Sequence, residues 1–142
     1  MASKPRLNIL AIVVSAVVYF ALAAVWFTVF MMRWLTGVGR TIEWLQATGV
    51  SPLLQYGVAF LASLVIGATI AWFVQATGEQ TALRGMRIAG LLWFGFVLTT
   101  WSTEYVYEVR SLQTLAINAG FPLIGMVIQG AIVGGWKSKA KP

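Results

Sequence analysis

The sequence predicts an all-α membrane protein: a bundle of four transmembrane helices in one domain, residues 1–142, with both termini in the cytoplasm. Of its 142 residues, 59% are hydrophobic and only 10% are charged, and the mean hydropathy is +0.82. The charges fall in short connectors between four long uncharged runs. This composition is too apolar for an ordinary soluble domain. Because a backbone in lipid has to satisfy its own hydrogen bonds, such runs form helices.

The four runs predict transmembrane spans at 8–32, 53–76, 87–107 and 113–136. Three runs exceed the roughly 20 residues that a helix needs to cross the hydrocarbon core. The third run, between Arg87 and Glu104, has 16 residues, which gives about 24 Å of helix against a core of about 30 Å. We therefore expect the third span to extend to Tyr107, which places Glu104 about one turn inside the membrane boundary.

The first run begins after Lys4 and Arg6 and contains Ala21-Leu22-Ala23, which resembles a signal-peptidase site. The apolar core of a signal peptide usually ends after about 15 residues, whereas this run continues to Met32. We expect an uncleaved first helix, and a cleaved signal peptide is the alternative.

Basic residues are divided unevenly between the two sides that four spans create. The side with both termini holds seven of the ten, and the opposite side holds three. The seven are Lys4, Arg6, Arg84, Arg87, Lys137, Lys139 and Lys141, and the three are Arg33, Arg40 and Arg110. Because basic residues in short loops favour the cytoplasm, this division predicts cytoplasmic termini. We expect a multi-pass protein of the bacterial cytoplasmic (inner) membrane.

The connector between the first two spans is longer than a turn requires. Its segment Thr41-Ile42-Glu43-Trp44-Leu45-Gln46 mixes apolar and polar side chains in a pattern that predicts a short amphipathic helix on the membrane surface. After this segment, Ser51 is expected to cap the second span, with Pro52 at the first helical position.

Small residues recur along two of the spans at intervals that are typical of helix packing. The second span carries one set, and the fourth span carries another. These residues are Ala59, Ser63, Gly67 and Ala71, and then Ala116, Gly120, Gly130 and Gly134. Small side chains at such intervals let membrane helices approach closely. The stripes indicate packing within the bundle, and a homo-oligomer interface is the alternative.

Most of the tyrosine and tryptophan residues map to the non-cytoplasmic half of the predicted bundle. Trp26 belongs to this half, whereas Trp93 falls toward the cytoplasmic half. We interpret these side chains as an aromatic belt at the membrane interface. An aromatic-lined outer vestibule for an apolar or cationic ligand is the alternative.

Six residues near the non-cytoplasmic end form the candidate ligand or ion site: Trp101, Glu104, Tyr105, Glu108, Arg110 and Asn118. Glu104 and Glu108 are four residues apart and so share a helix face. Pro122 is expected to kink the fourth span, because it cannot bond the carbonyl of Asn118. In the functional interpretation Glu104 faces the bundle interior and binds a cation or proton. In the alternative, both glutamates are solvated at the interface, with Arg110 as a loose partner.

Missing residue types exclude several classes of function. The chain has no cysteine, histidine or aspartate. Disulfides, the usual haem and zinc ligands and most general-base chemistry are therefore removed. We predict no metal, no cofactor and no enzyme activity. The net charge of +6 sits at the ends of the spans, so we expect the lipid bilayer, and not nucleic acid, as the partner.

Two segments in the second half of the chain resemble a known family. Tyr107-Glu108-Val109-Arg110-Ser111-Leu112, followed by Leu115-Ala116-Ile117-Asn118-Ala119-Gly120-Phe121, is similar to a signature of the uncharacterised membrane family called domain of unknown function 1761. Gly130-Ala131-Ile132-Val133-Gly134-Gly135-Trp136 resembles the end of that family's last helix, and Trp26-Phe27 its first-span pattern. The resemblance covers nearly the whole chain and supports the four-span architecture, but the family name implies no biochemical role.

For function, we expect a small integral membrane protein that acts by helix packing, as a homo-oligomer or as an accessory subunit of a membrane complex. The alternative is a small transporter or channel for a cation, a proton or an amphipathic small molecule, with its site at the non-cytoplasmic end. The first two spans offer only Ser15, Ser63 and Thr69 at mid-depth, which disfavours a wide aqueous path.

Overall fold

The computed structural model describes residues 6–137, and all regular structure in this range is helical. The elements in chain order are α1 (Ile9–Gly37), α2 (Ile42–Ala47), α3 (Pro52–Ala76), α4 (Ala82–Leu92), a π-helical segment (Trp93–Leu98), α5 (Thr99–Tyr107) and α6 (Leu112–Gly135). From α4 to α5 the chain forms one continuous helix, Ala82–Tyr107, called the third long helix below.

Four helices, α1, α3, the third long helix and α6, are each long and apolar enough to cross a membrane. This finding confirms the predicted all-α architecture of four membrane helices. The cytoplasmic position of the termini stays a prediction from the charge pattern. Three of the basic residues on which it rests, Lys4, Lys139 and Lys141, lie outside the described residues.

Two helices extend beyond their predicted boundaries. α1 continues to Gly37, past the predicted end at residue 32, and the third long helix begins at Ala82, before the predicted start at residue 87. The hydroxyl of Thr81 accepts a hydrogen bond from the backbone N–H of Arg84 at 3.2 Å and so caps this early start. With 26 residues, the third long helix spans about 39 Å. It therefore crosses a bilayer without needing Glu104 inside the membrane.

The connector after α1 contains the predicted short helix. Thr41 caps α2, since its hydroxyl accepts a hydrogen bond from the N–H of Trp44 at 3.2 Å. The backbone N–H of Glu43 and the hydroxyl of Thr41 donate to the Glu43 carboxylate and hold its pKa below the usual value. No residue of α2 is buried, as expected of a helix on a membrane surface. Ser51 and Pro52 take the predicted positions at the start of α3, but the Ser51 side chain makes no capping hydrogen bond.

α6 is the most buried of the four long helices. Half of the residues in its most apolar window are buried, against 28% in α1 and in α3. It packs against both of these helices and against the third long helix. α1 and α6 are antiparallel, because Asn8 donates to the carbonyl of Trp136 at 3.3 Å at one end and Gly37 contacts Thr114 at the other.

Glycines bring the third long helix into backbone contact with α6. A Cβ atom on Gly85 would overlap the carbonyl oxygen of Gly130, and a Cβ atom on Gly130 would overlap the carbonyl of Gly85. One turn further along α6, Gly134 approaches the carbonyl of Thr81 in the same way. Two of the predicted packing residues, Gly130 and Gly134, therefore lie at this crossing. The sequence analysis did not single out Gly85, which is their partner.

The other predicted packing residues divide between the interior and the outside of the bundle. Ser63, Gly67 and Ala71 are buried on α3, and on α6 Gly120 would place a Cβ atom 3.6 Å from the Trp26 ring. Ala59 and Ala116 are exposed and take no part in the packing of the bundle. On α3, therefore, only the last three of the four small residues pack inside the bundle.

The π-helical segment keeps one face of the third long helix on α6. Gly85 and Ala89 face α6 at the glycine crossing, and further along Trp93 and Tyr105 both form hydrogen bonds with α6 residues. In a regular α-helix, each step of four residues turns the side chain by about 40° around the helix axis. Side chains spaced like these would therefore turn away from α6 after a few turns. The wider turn of the π-helical segment reduces this rotation.

We expect Gly130→Ala to destabilise the protein by about 1–3 kcal/mol, because the added methyl group has to displace the backbone of Gly85. Equilibrium unfolding in mixed micelles measures this loss. The matched control is Gly90→Ala on the third long helix, where nothing lies within 4 Å of the added Cβ atom. A loss of equal size in the two variants would contradict the glycine crossing.

Candidate functional site

Five of the six predicted site residues lie side chain against side chain at the end of the bundle away from the termini. The Nε atom of Arg110 lies 2.5 Å from the Oε2 atom of Glu108, and its guanidinium stands 5.6 Å from the ring centroid of Tyr105. The amide of Asn118 donates to the Tyr105 hydroxyl at 2.6 Å. The Trp101 ring lies 5.9 Å from the Tyr105 ring. These five residues are called the outer cluster below.

Glu104, the sixth predicted residue, lies outside the outer cluster. Its side chain is exposed, whereas that of the next residue, Tyr105, is buried. Consecutive residues of a helix point about 100° apart, so turning Tyr105 toward α6 turns Glu104 away from it. The structure therefore contradicts the interpretation in which Glu104 faces the bundle interior. The interfacial alternative describes Glu104 and Glu108 better, with Arg110 as the partner of Glu108 alone.

A strained turn at the end of the third long helix positions Arg110. The N–H of Arg110 donates to the carbonyl of Tyr105 at 2.9 Å, and the N–H of Val109 to the carbonyl of Val106 at 3.3 Å. These are the two hydrogen bonds of a Schellman motif, which needs a left-handed residue after the helix cap. Val109 takes that conformation, with φ = 52°. For a β-branched residue this is strained, at a cost on the order of 1–3 kcal/mol.

α1 ends in the same motif at the same end of the bundle, with glycine at the left-handed position. Gly39 has φ = 66°, and the N–H of Arg40 donates to the carbonyl of Leu35 at 2.9 Å. The Arg40 guanidinium stacks over the Trp44 ring at 3.9 Å. Both motifs therefore hold an arginine against an aromatic ring, and only the motif of the outer cluster carries backbone strain.

Two tryptophan side chains bond the backbone of α6 just before Pro122. Trp26 donates from Nε1 to the carbonyl of Ile117 at 3.1 Å, and Trp93 donates to the carbonyl of Ala119 at 2.7 Å. Pro122 lacks an N–H and interrupts the normal hydrogen bonding of this turn. Since lipid offers no donors, these indole groups add hydrogen bonds to the carbonyls on either side of Asn118, whose own carbonyl Pro122 cannot bond. Both tryptophans therefore take part in packing the bundle, and the aromatic belt at the membrane interface stays a prediction.

A second polar cluster, called the central cluster below, lies between α1, α3 and α6. Gln129 is fully buried, and its Nε2 atom donates to the carbonyl of Ser63 at 3.0 Å and to the hydroxyl of Ser15 at 3.4 Å. Gly67 leaves room for these groups, because a Cβ atom there would lie 2.9 Å from both the amide and the hydroxyl. The sequence analysis overlooked Gln129. Its signal was a single amide within the apolar stretch of residues 119–136.

The outer cluster contains one carboxylate and one guanidinium, and these are directed at each other. Beside it lies a cavity of about 340 Å³, lined by Tyr105, Arg110 and mostly apolar side chains. Within residues 6–137, no group of three or more potential metal ligands is found. The arrangement can fix the end of the third long helix on α6 and hold a cation–π contact at the surface.

We expect Val109→Gly to stabilise the protein by up to about 1 kcal/mol, because glycine takes the left-handed conformation without strain. The reverse change at the equivalent position, Gly39→Val, should destabilise it by about 1–3 kcal/mol. Equilibrium unfolding of both variants tests the comparison. If Val109→Gly lowered stability, the strain argument would be wrong.

We expect Gln129→Met to destabilise the protein by about 0.6–1.7 kcal/mol, the usual value of a hydrogen bond between membrane helices. Methionine has a similar length but cannot donate to Ser63 or Ser15. The matched control is Gln113→Met near the start of α6, where the side chain is exposed and the change should stay within about 0.5 kcal/mol. An unchanged unfolding free energy for Gln129→Met would show that the central cluster does not hold the helices together.

The sequence profile of a family described as protein of unknown function (DUF1761) matches residues 10–134. This range includes the outer cluster, the central cluster and nearly all of the four long helices. No curated protein and no solved structure matches the sequence significantly. The chain therefore belongs to the DUF1761 family of membrane proteins of unknown function, as its sequence resemblance predicts.

Proposed function

We propose that this chain acts by association within the bacterial cytoplasmic membrane, as a homo-oligomer in which the third long helix packs against a second copy. One observation carries the proposal. The third long helix has the lowest hydropathy of the four candidate spans, yet only 11% of its most apolar window is buried, against 50% for α6.

This combination is the reverse of what an isolated bundle in lipid favours. Lipid forms no hydrogen bonds, so the helix with the most polar side chains is best placed in the interior. Here the third long helix exposes Thr99, Thr103 and Glu104 along its second half. If a second protein covered this side of the third long helix, its polar side chains would no longer face lipid.

The side of the third long helix that faces away from α6 has the features of a packing surface. Leu91, Gly95, Thr99 and Thr103 are spaced four residues apart and are all exposed, and they are called the association face below. Nothing lies within 4 Å of a Cβ atom on Gly95. The hydroxyls of Thr99 and Thr103 bond to carbonyls of their own helix at 2.8 and 2.9 Å, so both side chains are compact and satisfied. Small residues at this spacing allow close helix contact.

A second copy is the partner that we propose, because two-fold symmetric pairing places one face against itself and is the commonest form of association among oligomers. The basic residues Arg6, Arg84, Arg87 and Lys137 at the end with the termini support cytoplasmic termini. The transporter alternative has less support, since Glu104 is exposed and the Nε2 atom of Gln129 is bonded to Ser15 and Ser63.

The chain contains no cysteine, so single cysteines can report the interface. We expect Thr99→Cys to form a cross-linked dimer in native membranes when treated with a short bifunctional maleimide. Leu61→Cys on the exposed side of α3 is the matched control and should stay monomeric. A cross-link of Thr99→Cys to a different protein would favour an accessory subunit instead. Equal cross-linking at the two positions, or none at either, would contradict the association face.

A further inference from the structure

An apolar groove runs between α3 and the third long helix. It has a volume of about 310 Å³, and its walls include Thr69 and Phe73 of α3 and Leu92 and Phe96 of the third long helix. Met126 of α6 forms part of its floor. The groove exists because α3 packs against the Ala82–Leu92 part of the third long helix and has little contact with the rest. The lining is almost entirely apolar, so the groove accepts a hydrocarbon chain.

A basic cavity of about 360 Å³ lies at the end of this groove that is nearer the termini. Arg84 and Arg87 line it, together with Glu79, Thr81, Leu83 and Ile88. The Arg84 guanidinium donates to the carbonyl of Thr77, and its Nε atom is buried with no hydrogen-bond partner among the described residues. Arg87 is exposed and forms no salt bridge within residues 6–137. Two guanidinium groups against one carboxylate leave this cavity with a net positive charge.

The basic cavity and the apolar groove lie along one row of side chains on the third long helix, and together they are called the crevice below. Ile88 lines the cavity, and Leu92 and Phe96 follow it at intervals of four residues along the groove. From Arg84 to Phe96 the helix rises about 18 Å. One hydrocarbon leaflet is about 15 Å thick, half of the roughly 30 Å core. The charge and the groove are therefore spaced as the headgroup and the acyl chain of one lipid are.

We propose that this crevice is a binding site for a single anionic phospholipid. The phosphate contacts Arg87 and the guanidinium of Arg84 that lines the cavity, and one acyl chain lies in the groove toward Phe96. Basic pockets between membrane helices are suited to acidic headgroups because the guanidinium group pairs with phosphate through two parallel hydrogen bonds. The site is separate from the association face, which points away from α6, and it does not depend on the oligomer.

Native mass spectrometry of the delipidated protein, titrated with phosphatidylglycerol or phosphatidylcholine, tests the site. We expect phosphatidylglycerol to bind at least about fivefold more tightly, and Arg87→Gln to remove about fivefold of that affinity while leaving phosphatidylcholine unchanged. Arg33→Gln, which changes an exposed arginine at the opposite end, is the matched control and should leave both affinities unchanged.

Thr69→Trp tests the groove, because the indole ring would fill it from an exposed position on its wall. Binding of both lipids should weaken, whereas Val58→Trp, at an exposed position elsewhere on α3, should bind as the unchanged protein does. Each variant is first checked for an unaltered helical circular dichroism spectrum. Three results would each overturn the proposal. They are equal affinity for the two lipids, equal losses of affinity in Arg87→Gln and Arg33→Gln, and binding of glycerol 3-phosphate as tight as that of phosphatidylglycerol.

Discussion

Hydrogen bonding without water is the constraint on which the rest of this bundle depends. α6 carries the polar groups that the other helices bond: the carbonyls of Ile117 and Ala119, just before Pro122, and the Nε2 group of Gln129. In lipid, each buried polar group without a partner costs several kcal/mol. Trp26 of α1 and Trp93 of the third long helix reach the first set, and Ser15 and Ser63 reach the second. These contacts fix where the surrounding helices lie along α6.

Hydropathy was sufficient to predict the helices, because in a membrane the length of an apolar run decides the structure. It failed at the boundaries where a charged residue was taken as an end. Arg33 lies inside α1, and Arg84 and Arg87 lie inside the third long helix. Long basic side chains can carry their charge to the interface while their backbone remains helical, so these residues do not mark helix ends.

The candidate site was predicted in its chemistry but only partly in its geometry. The contacts among Tyr105, Glu108, Arg110 and Asn118 join residues that the sequence had placed at one end of the bundle. The facing of Glu104 was not predictable, because it depends on the rotation of the third long helix, which the π-helical segment changes. Gln129 was overlooked since its importance comes from neighbours on two other helices that sequence spacing does not reveal.

The two ends of the third long helix also restrict where this helix can lose a residue. Gly85 and Tyr105 are anchored to α6 near opposite ends of this helix, so the chain between them cannot rotate freely at either end. Removing one residue from Trp93–Leu98 would restore a regular α-helix and leave Tyr105 facing Asn118, because the wide turn accommodates one extra residue. Removing one residue from the α-helical part between Gly85 and Leu92 would instead turn the following part by about 100° and take Tyr105 away from Asn118. Length variation among proteins with this fold should therefore fall in the connectors or in the π-helical segment and spare the rest of the stretch between these two anchors.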